Sequence, residues 1–249
     1  MSAPEQRQRR YWDALAQTDP DAAIIDPNDR RGLKNAYLAG LRDRAFAQSL
    51  ARHDVERGTV LDLGCGTASA SHPLLRAGHR VLGLDISLQL LRHARNRCGD
   101  RDCLFAAVDG RHLPVAASVM DAAVVYVVLS YVTDDAAALA LLEEVRATLK
   151  PGAPLIMIEQ ARARRALCED GLKVHRSIRE WTQLLRQAGF RLADTAILRH
   201  GRFPTTPLVA VGAIPRAAWP WLARCEAGVA RLTGVFGWDY AEVRFEATA

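Results

Sequence analysis

Apolar residues in this chain come in short, nearly unbroken runs, with longer amphipathic stretches between them. The runs at 60–63, 81–85, 104–108, 122–128 and 155–158 are four to seven residues long and dominated by Val, Leu, Ile and Ala. Runs of that length, apolar on both faces, predict strands of a buried parallel sheet. The stretches between them repeat apolar positions at helical spacing. Helices are expected at about 69–77, ended by Gly78, and at 88–98, where Ser87 stands as N-cap and Gly99 as stop. Another is expected at about 134–149, with Leu139, Leu142, Val145 and Leu149 inward and Pro151-Gly152 as its stop. Strands alternating with helices argue for an α/β, Rossmann-like, doubly wound and mostly parallel seven-stranded sheet with helices on both faces.

The two ends of the chain depart from that rhythm. Residues 1–10 are polar and read as frayed, followed by a short helix around Tyr11, Trp12 and Leu15 and a polar turn region over 18–31. From Lys34 a helical pattern resumes, so 1–55 are expected to form a helical cap or lid and 56–198 the core. Residues 161–176 are basic and irregular. Ser177 and Glu180 then form a capping box that opens a helix carrying Trp181, Leu184, Leu185 and Ala188, and 190–198 reads as strand six. Residues 240–246 alternate like a half-exposed final strand, which makes 199–237 a Pro- and Trp-rich insertion within a C-terminal section, 199–249. The competing assignment puts the final strand at 208–214.

Charge and cysteine content narrow the setting. A net charge of +5 with scattered basic residues permits acidic or phosphorylated partners without requiring them. Five cysteines, an odd number without a CxxC pair, argue against a disulfide framework or a metal site and point to a reducing, cytoplasmic setting. The longest apolar stretch, 122–132, falls short of the roughly 20 residues that cross a bilayer, so no membrane insertion is expected.

The chemistry concentrates where the first strand ends, at Asp62-Leu63-Gly64-Cys65-Gly66-Thr67-Ala68. Glycines there allow unusual backbone dihedrals and close approach of a ligand. An acid about 20 residues further on, here Asp85, is placed to accept hydrogen bonds from a ribose. The dinucleotide fingerprint GxGxxG is incomplete, because Ser69 stands at its third glycine. The stretch instead resembles the first motif of class I S-adenosylmethionine-dependent methyltransferases, an acid followed by GxGxG or GxGxA. The likeness continues in register through Asp85, Asp109-Gly110 with Leu113-Pro114, Asp121 and its apolar run, Leu149-Lys150-Pro151-Gly152, and 176–190.

That resemblance implies S-adenosylmethionine as cofactor, with Asp62, Gly64, Cys65, Gly66, Ile86, Gly110 and Val128 around it. It implies Asp85 on the ribose hydroxyls and Asp109 on the adenine amino group. It also implies an aromatic and a basic residue from the N-terminal cap at the methionine end, for which Tyr11, Trp12, Lys34 and Asn35 are the candidates. The sulfonium already activates the methyl group, so the protein must align an acceptor and exclude water, and an alcohol acceptor also needs a base. Strand four ends in Leu129-Ser130-Tyr131, where many small-molecule relatives carry a histidine pair. Glu159, Tyr131 and His175 are therefore the catalytic candidates, with His200 beside them; Trp219, Trp221 and Trp238 are expected to wall an acceptor pocket or to form a satellite core.

The expected activity is methyl transfer to a small molecule, with the hydroxyl of a sugar, glycolipid intermediate or secondary metabolite as acceptor. A homodimer is compatible with this. A nucleic-acid methyltransferase using Arg162, Arg164 and Arg165 is the alternative, disfavoured because aromatic-basic interleaving is lacking. A non-catalytic cofactor-binding protein is a further alternative.

Overall fold

The computed structural model describes residues 3–18, 25–26, 28–99, 102–235 and 240–249. Two helices, α1 (Ala3–Thr18) and α2 (Leu33–Arg52), precede the first strand. The core then runs β1 (Thr59–Leu63), α3 (Ser71–Arg76), β2 (Arg80–Asp85), α4 (Leu88–Cys98), β3 (Cys103–Ala107), β4 (Ala122–Tyr126), a 3₁₀ turn (Leu129–Tyr131), α5 (Asp135–Thr148) and β5 (Pro154–Ala161). There follow β6 (Ala166–Cys168), β7 (Lys173–His175), α6 (Ile178–Gln187), β8 (Arg191–His200), α7 (Thr205–Ala210), α8 (Trp219–Thr233) and β9 (Ala241–Thr248). The main sheet has seven strands in the order β3-β2-β1-β4-β5-β9-β8. The pairs among β1 to β5 are parallel, and β9 runs antiparallel between β5 and β8.

Alternation along the strands divides the core into two layers. Leu61, Leu84, Val125, Met157 and Phe245 face α5 and α6 on one side, where Leu142, Val145 and Trp181 are buried. Val60, Val81, Val124 and Ile156 face α2 and α3 on the other, against Phe46, Leu50 and Leu74. The expected α/β architecture and its mostly parallel seven-stranded sheet are present.

The structure departs from the sequence reading at several places. Residues 3–10, expected to be frayed, belong to a 16-residue helix from Ala3, where the side chains of Arg7 and Gln8 find partners far along the chain. The strand expected at 122–128 stops at Tyr126, since Val127 adopts a left-handed φ of 53° and turns the chain out of the sheet. The irregular basic stretch holds a small hairpin, β6–β7, that local composition did not announce.

The final strand lies at 241–248, and the alternative at 208–214 falls on the end of α7 and the turn after it. β9 is not half-exposed: all eight of its residues are buried. Its polar face is covered by partners from elsewhere. Glu246 accepts from the Ser49 hydroxyl at 2.6 Å and pairs with Arg52, while Arg244 pairs with Asp194. Among the described residues no helix is long and apolar enough to cross a membrane.

Candidate functional site

The glycine turn after β1 forms because three residues in it, Gly64, Gly66 and Ala68, take left-handed φ values of 70°, 53° and 60°. A Cβ at Gly64 would sit 2.3 Å from a methyl of Val128, so only glycine lets these two segments meet. Asp85, at the end of β2, reaches back to accept the Gly66 N–H at 2.9 Å and the Ser87 N–H at 2.8 Å. Asp62, at the end of β1, accepts from the Ser71 hydroxyl at 2.5 Å. Burial pushes the carboxyl of Asp85 up to about 6, against the hydrogen bonds from Ser87 and Gly66. Burial likewise raises Asp62 to about 6, opposed by Ser71 and by the nearby charge of Arg42.

These groups open onto a cavity of about 770 Å³. Asp62, Gly64, Cys65, Gly66, Asp85, Ile86, Gly110 and Val128 all line it, as do Trp12, Arg42 and Tyr131. Asp109 is placed differently. Its oxygens accept the N–H groups of Arg111 and His112 at 2.8 Å and pair with the His112 ring at 3.0 Å. Against the upward push of burial, those bonds together pull Asp109 down to about 2, while its neighbours Val108 and Gly110 face the cavity.

α1 roofs the cavity and is fastened at both ends. Asp13 accepts from the Ser87 hydroxyl at 2.6 Å, two residues past Asp85. At the other end the Gln8 amide donates to the carbonyls of Tyr131 and Leu172 at 3.0 and 2.6 Å, and Arg7 donates to that of Asp170 at 3.0 Å. Trp12 packs edge-on against Tyr131 with ring centroids 4.9 Å apart, and Tyr11 lies 6.5 Å from the same ring. Lys34 is not at the cavity; it pairs with Asp26 at 2.5 Å, and Asn35 also bonds within that turn. The cap's buried basic residue at the cavity is Arg42. It donates to the Ser69 hydroxyl and carbonyl, both at 2.9 Å, and lies over the Tyr126 ring. The apolar spacing of α2 marked Leu38, Leu41 and Ala45 as inward but carried no signal for an arginine among them.

Tyr131 owes its position to two charged residues that hold the turn before it. Glu159 accepts the N–H groups of Val128, Leu129 and Ser130 and the Ser130 hydroxyl, at 2.5–3.3 Å. Burial raises its carboxyl above the usual range, opposed by those bonds. Arg176, fully buried, donates to the carbonyls of Leu129 and Val132 at 3.0 and 2.7 Å and lies over Trp181. Neither lines the cavity.

The Tyr131 ring carries the Lys173 ammonium 4.8 Å from its centroid, and the ammonium lies 3.4 Å from its hydroxyl and 3.7 Å from Glu169. Burial, then the charge of Glu169, raises the phenol pKa well above the ordinary value, and burial lowers that of Lys173. His175 is buried against Gln160 and Cys168, away from the cavity wall, and His200 bonds Thr233. Arg165 pairs with Asp135, so it is committed within the fold. No described residue from 199–249 lines the cavity. Trp219 packs on Tyr37, Trp221 is 67 % exposed, and Trp238 lies outside the described residues.

A parallel sheet with an antiparallel strand inserted before its last edge, and a glycine turn backed by two buried acids, define a nucleoside-cofactor α/β domain. Residues 60–152 match the methyltransferase-domain family. A demethylmenaquinone methyltransferase from Thermobifida fusca is 36 % identical over 144 residues, 55 % of this chain and 60 % of that relative's length. Among solved structures, an S-adenosylmethionine-dependent methyltransferase from Leishmania major superposes with a TM-score of 0.70 at 12 % identity, covering 99 % of this chain and 83 % of its own. The magnesium protoporphyrin IX methyltransferase from Synechocystis, solved with S-adenosylmethionine bound, gives 0.66 at 17 % identity, covering 100 % and 98 %. Residues 60–152 therefore carry a methyltransferase domain, in a chain whose whole fold is that of solved S-adenosylmethionine-dependent methyltransferases.

The residues present fit that cofactor. Carboxylates at Asp85 and Asp62 can accept from hydroxyl and amino groups, the glycine turn admits close approach, and Arg42, paired with Asp43 at 2.7 Å, is the cation on the cavity wall. Two outcomes follow. In the free protein Asp62 and Asp85 remain protonated up to about pH 6, so the stability their protonated forms lend is lost as pH rises from about 4 to 6. Ligand hydroxyls favour the ionised form, so affinity for S-adenosylhomocysteine falls as pH drops below 6, by up to about tenfold per unit for each group. Calorimetric titration between pH 5 and 8 measures this, and a flat profile contradicts it. Separately, Glu159→Ala leaves three backbone donors without their acceptor and costs about 2–4 kcal/mol in urea unfolding; an unchanged midpoint would remove its role in holding the turn.

Proposed function

We propose that this protein transfers the methyl group of S-adenosylmethionine to a small, flat, largely apolar acceptor bearing a hydroxyl. The observation that carries this reading is the composition of the one cavity. Buried acids and the glycine turn stand at one end, and Trp12, Tyr131, Val132 and Leu172 stand at the other, beneath α1. The relatives named as demethylmenaquinone methyltransferases support a small-molecule acceptor. The region 1–55 acts as the lid, 56–198 as the cofactor-binding core, and 199–249 completes the sheet and braces the lid from outside.

When bound, S-adenosylmethionine supplies a methyl group activated by its sulfonium. The chain's own residues do the rest. Asp85 holds the ribose end, and Arg42 accepts the carboxylate end. α1 excludes water, which strengthens every polar interaction beneath it. Tyr131 stays protonated near neutral pH and so donates a hydrogen bond to the acceptor rather than taking its proton. Lys173 donates to that phenol oxygen, and Glu169 holds the Lys173 ammonium. The aromatic pair Trp12 and Tyr131 orients a flat acceptor against the donor, and such alignment supplies much of the acceleration in a transfer of this type.

S-adenosylhomocysteine at about 100 times its dissociation constant should stabilise the protein by about 2.7 kcal/mol in thermal unfolding, and NAD should do nothing. The opposite pattern would end the cofactor assignment. With a flat hydroxylated aromatic as acceptor, Tyr131→Phe should lower kcat about tenfold or more while leaving S-adenosylhomocysteine affinity within twofold. Equal loss in both quantities would place Tyr131 on the cofactor instead.

A further inference from the structure

The lobe formed by α7 and α8 has a surface that neither the core nor the cavity uses. Among the described residues, nine large apolar side chains are strongly exposed, and five of them lie in this lobe: Leu208, Val211, Trp221, Val229 and Leu232. Trp221 is 67 % exposed and Leu232 90 %. α8 is apolar on two faces, one buried and one exposed. Its inner face, which packs along β8, buries Leu222, Ala223 and Ala230, and Leu222 joins Tyr37, Leu38 and Val209 of α2 and α7 in one cluster. Its outer face presents Trp221, Cys225, Val229 and Leu232, spaced i, i+4, i+8 and i+11, which makes one continuous stripe along the helix.

A helix whose only task is to pack on the fold needs the inner face alone. An outer stripe carrying an exposed Trp and Leu requires a cover of its own.

The charges beside the stripe say what that cover is. Between residues 201 and 235 the chain has four arginines, Arg202, Arg216, Arg224 and Arg231, and all four are exposed. The one acid in that span, Glu226, is 1 % exposed and already paired with Arg199 at 3.1 Å, where it also accepts from Tyr37. The solvent-facing charge of the lobe is therefore wholly positive. Arg224 and Arg231 are seven residues apart, so they border the stripe on the same side, two turns from one another. A second copy of this face would bring like charges together. An anionic, apolar surface matches both features at once: arginines meet lipid phosphates while Trp221 and Leu232 enter the boundary between headgroups and acyl chains.

We propose that the outer face of α8, with the adjoining α7, docks the protein on an anionic lipid bilayer surface. The protein lies on the membrane without spanning it, which agrees with the lack of a membrane-crossing helix among the described residues. This inference does not depend on the acceptor or on methyl transfer.

The test is flotation of the full chain with vesicles of phosphatidylcholine and phosphatidylglycerol, compared with vesicles of phosphatidylcholine alone. Binding to the anionic vesicles is expected, weakening as salt rises. The double variant Trp221→Ala/Leu232→Ala should lose it by roughly tenfold or more. Arg224→Glu/Arg231→Glu should lose the preference for phosphatidylglycerol by a similar factor. Both pairs sit on the surface, and unchanged S-adenosylhomocysteine affinity and melting temperature verify that each variant is folded. A wild-type protein that leaves both vesicle types unbound overturns the proposal, as does binding that survives both pairs of substitutions. Sedimentation of the wild type as a dimer that Trp221→Ala/Leu232→Ala turns into a monomer, with no vesicle binding, would assign the face to self-association and overturn it equally.

Discussion

The site depends on acids placed at the ends of parallel strands and withdrawn from water. Asp62 closes β1, Asp85 closes β2, and Glu159 lies near the end of β5; each is buried, and burial raises the pKa of all three. Taking a carboxylate out of water is costly unless it is fully hydrogen-bonded, so each of these acids demands donors close by. For Asp85 and Glu159 the donors are mainly backbone N–H groups of loops at the strand ends, and for Asp62 the donor is the Ser71 hydroxyl. Asp85 thus shapes both the glycine turn and the start of α4, and Glu159 gathers the three amides ahead of Tyr131. The requirement that creates a ligand-facing acid also holds the loops that surround the ligand.

A division of labour among these groups follows. Asp62 and Asp85 have a face on the cavity, whereas Glu159 spends its oxygens on the turn. Arg176 completes that arrangement from the carbonyl side, so one turn of 3₁₀ helix is clamped between an anion and a cation. Tyr131 is the product of this clamp. Its ring meets α1 from one side and Lys173 from the other, which joins the lid, the core and the β6–β7 hairpin at a single side chain. The ties of α1 at Asp13 and Gln8 make the roof part of the same network.

Local pattern carried the sheet and its helices because each core strand is a short apolar run with an unambiguous stop. The glycine turn and Asp85 were equally legible, since their spacing along the chain reflects a local strand–turn–helix unit. What could not be read locally was long-range pairing. Arg42 sits in an otherwise ordinary helix, and its role appears only when Ser69 is beside it. Lys34 looked like the basic residue of the lid, yet Asp26 lies close enough to claim it. The hairpin of β6 and β7 was hidden because its strands are three residues each and its sequence is charged. The alternation of 240–246 was read as one wet face, whereas Ser49, Arg52 and Asp194 arrive from distant elements to cover it. For Arg42 and for the last strand, the deciding partner lies well away in sequence.

The most direct test of the central claim, that strand-end acids and the roof of α1 together define a methyl-donor site, is a crystal structure with S-adenosylhomocysteine. The account predicts its ribose hydroxyls on Asp85, its carboxylate toward Arg42, and its sulfur facing Tyr131 beneath an ordered α1. Density for the ligand outside this cavity, or ribose hydroxyls with no contact to Asp85, would contradict it.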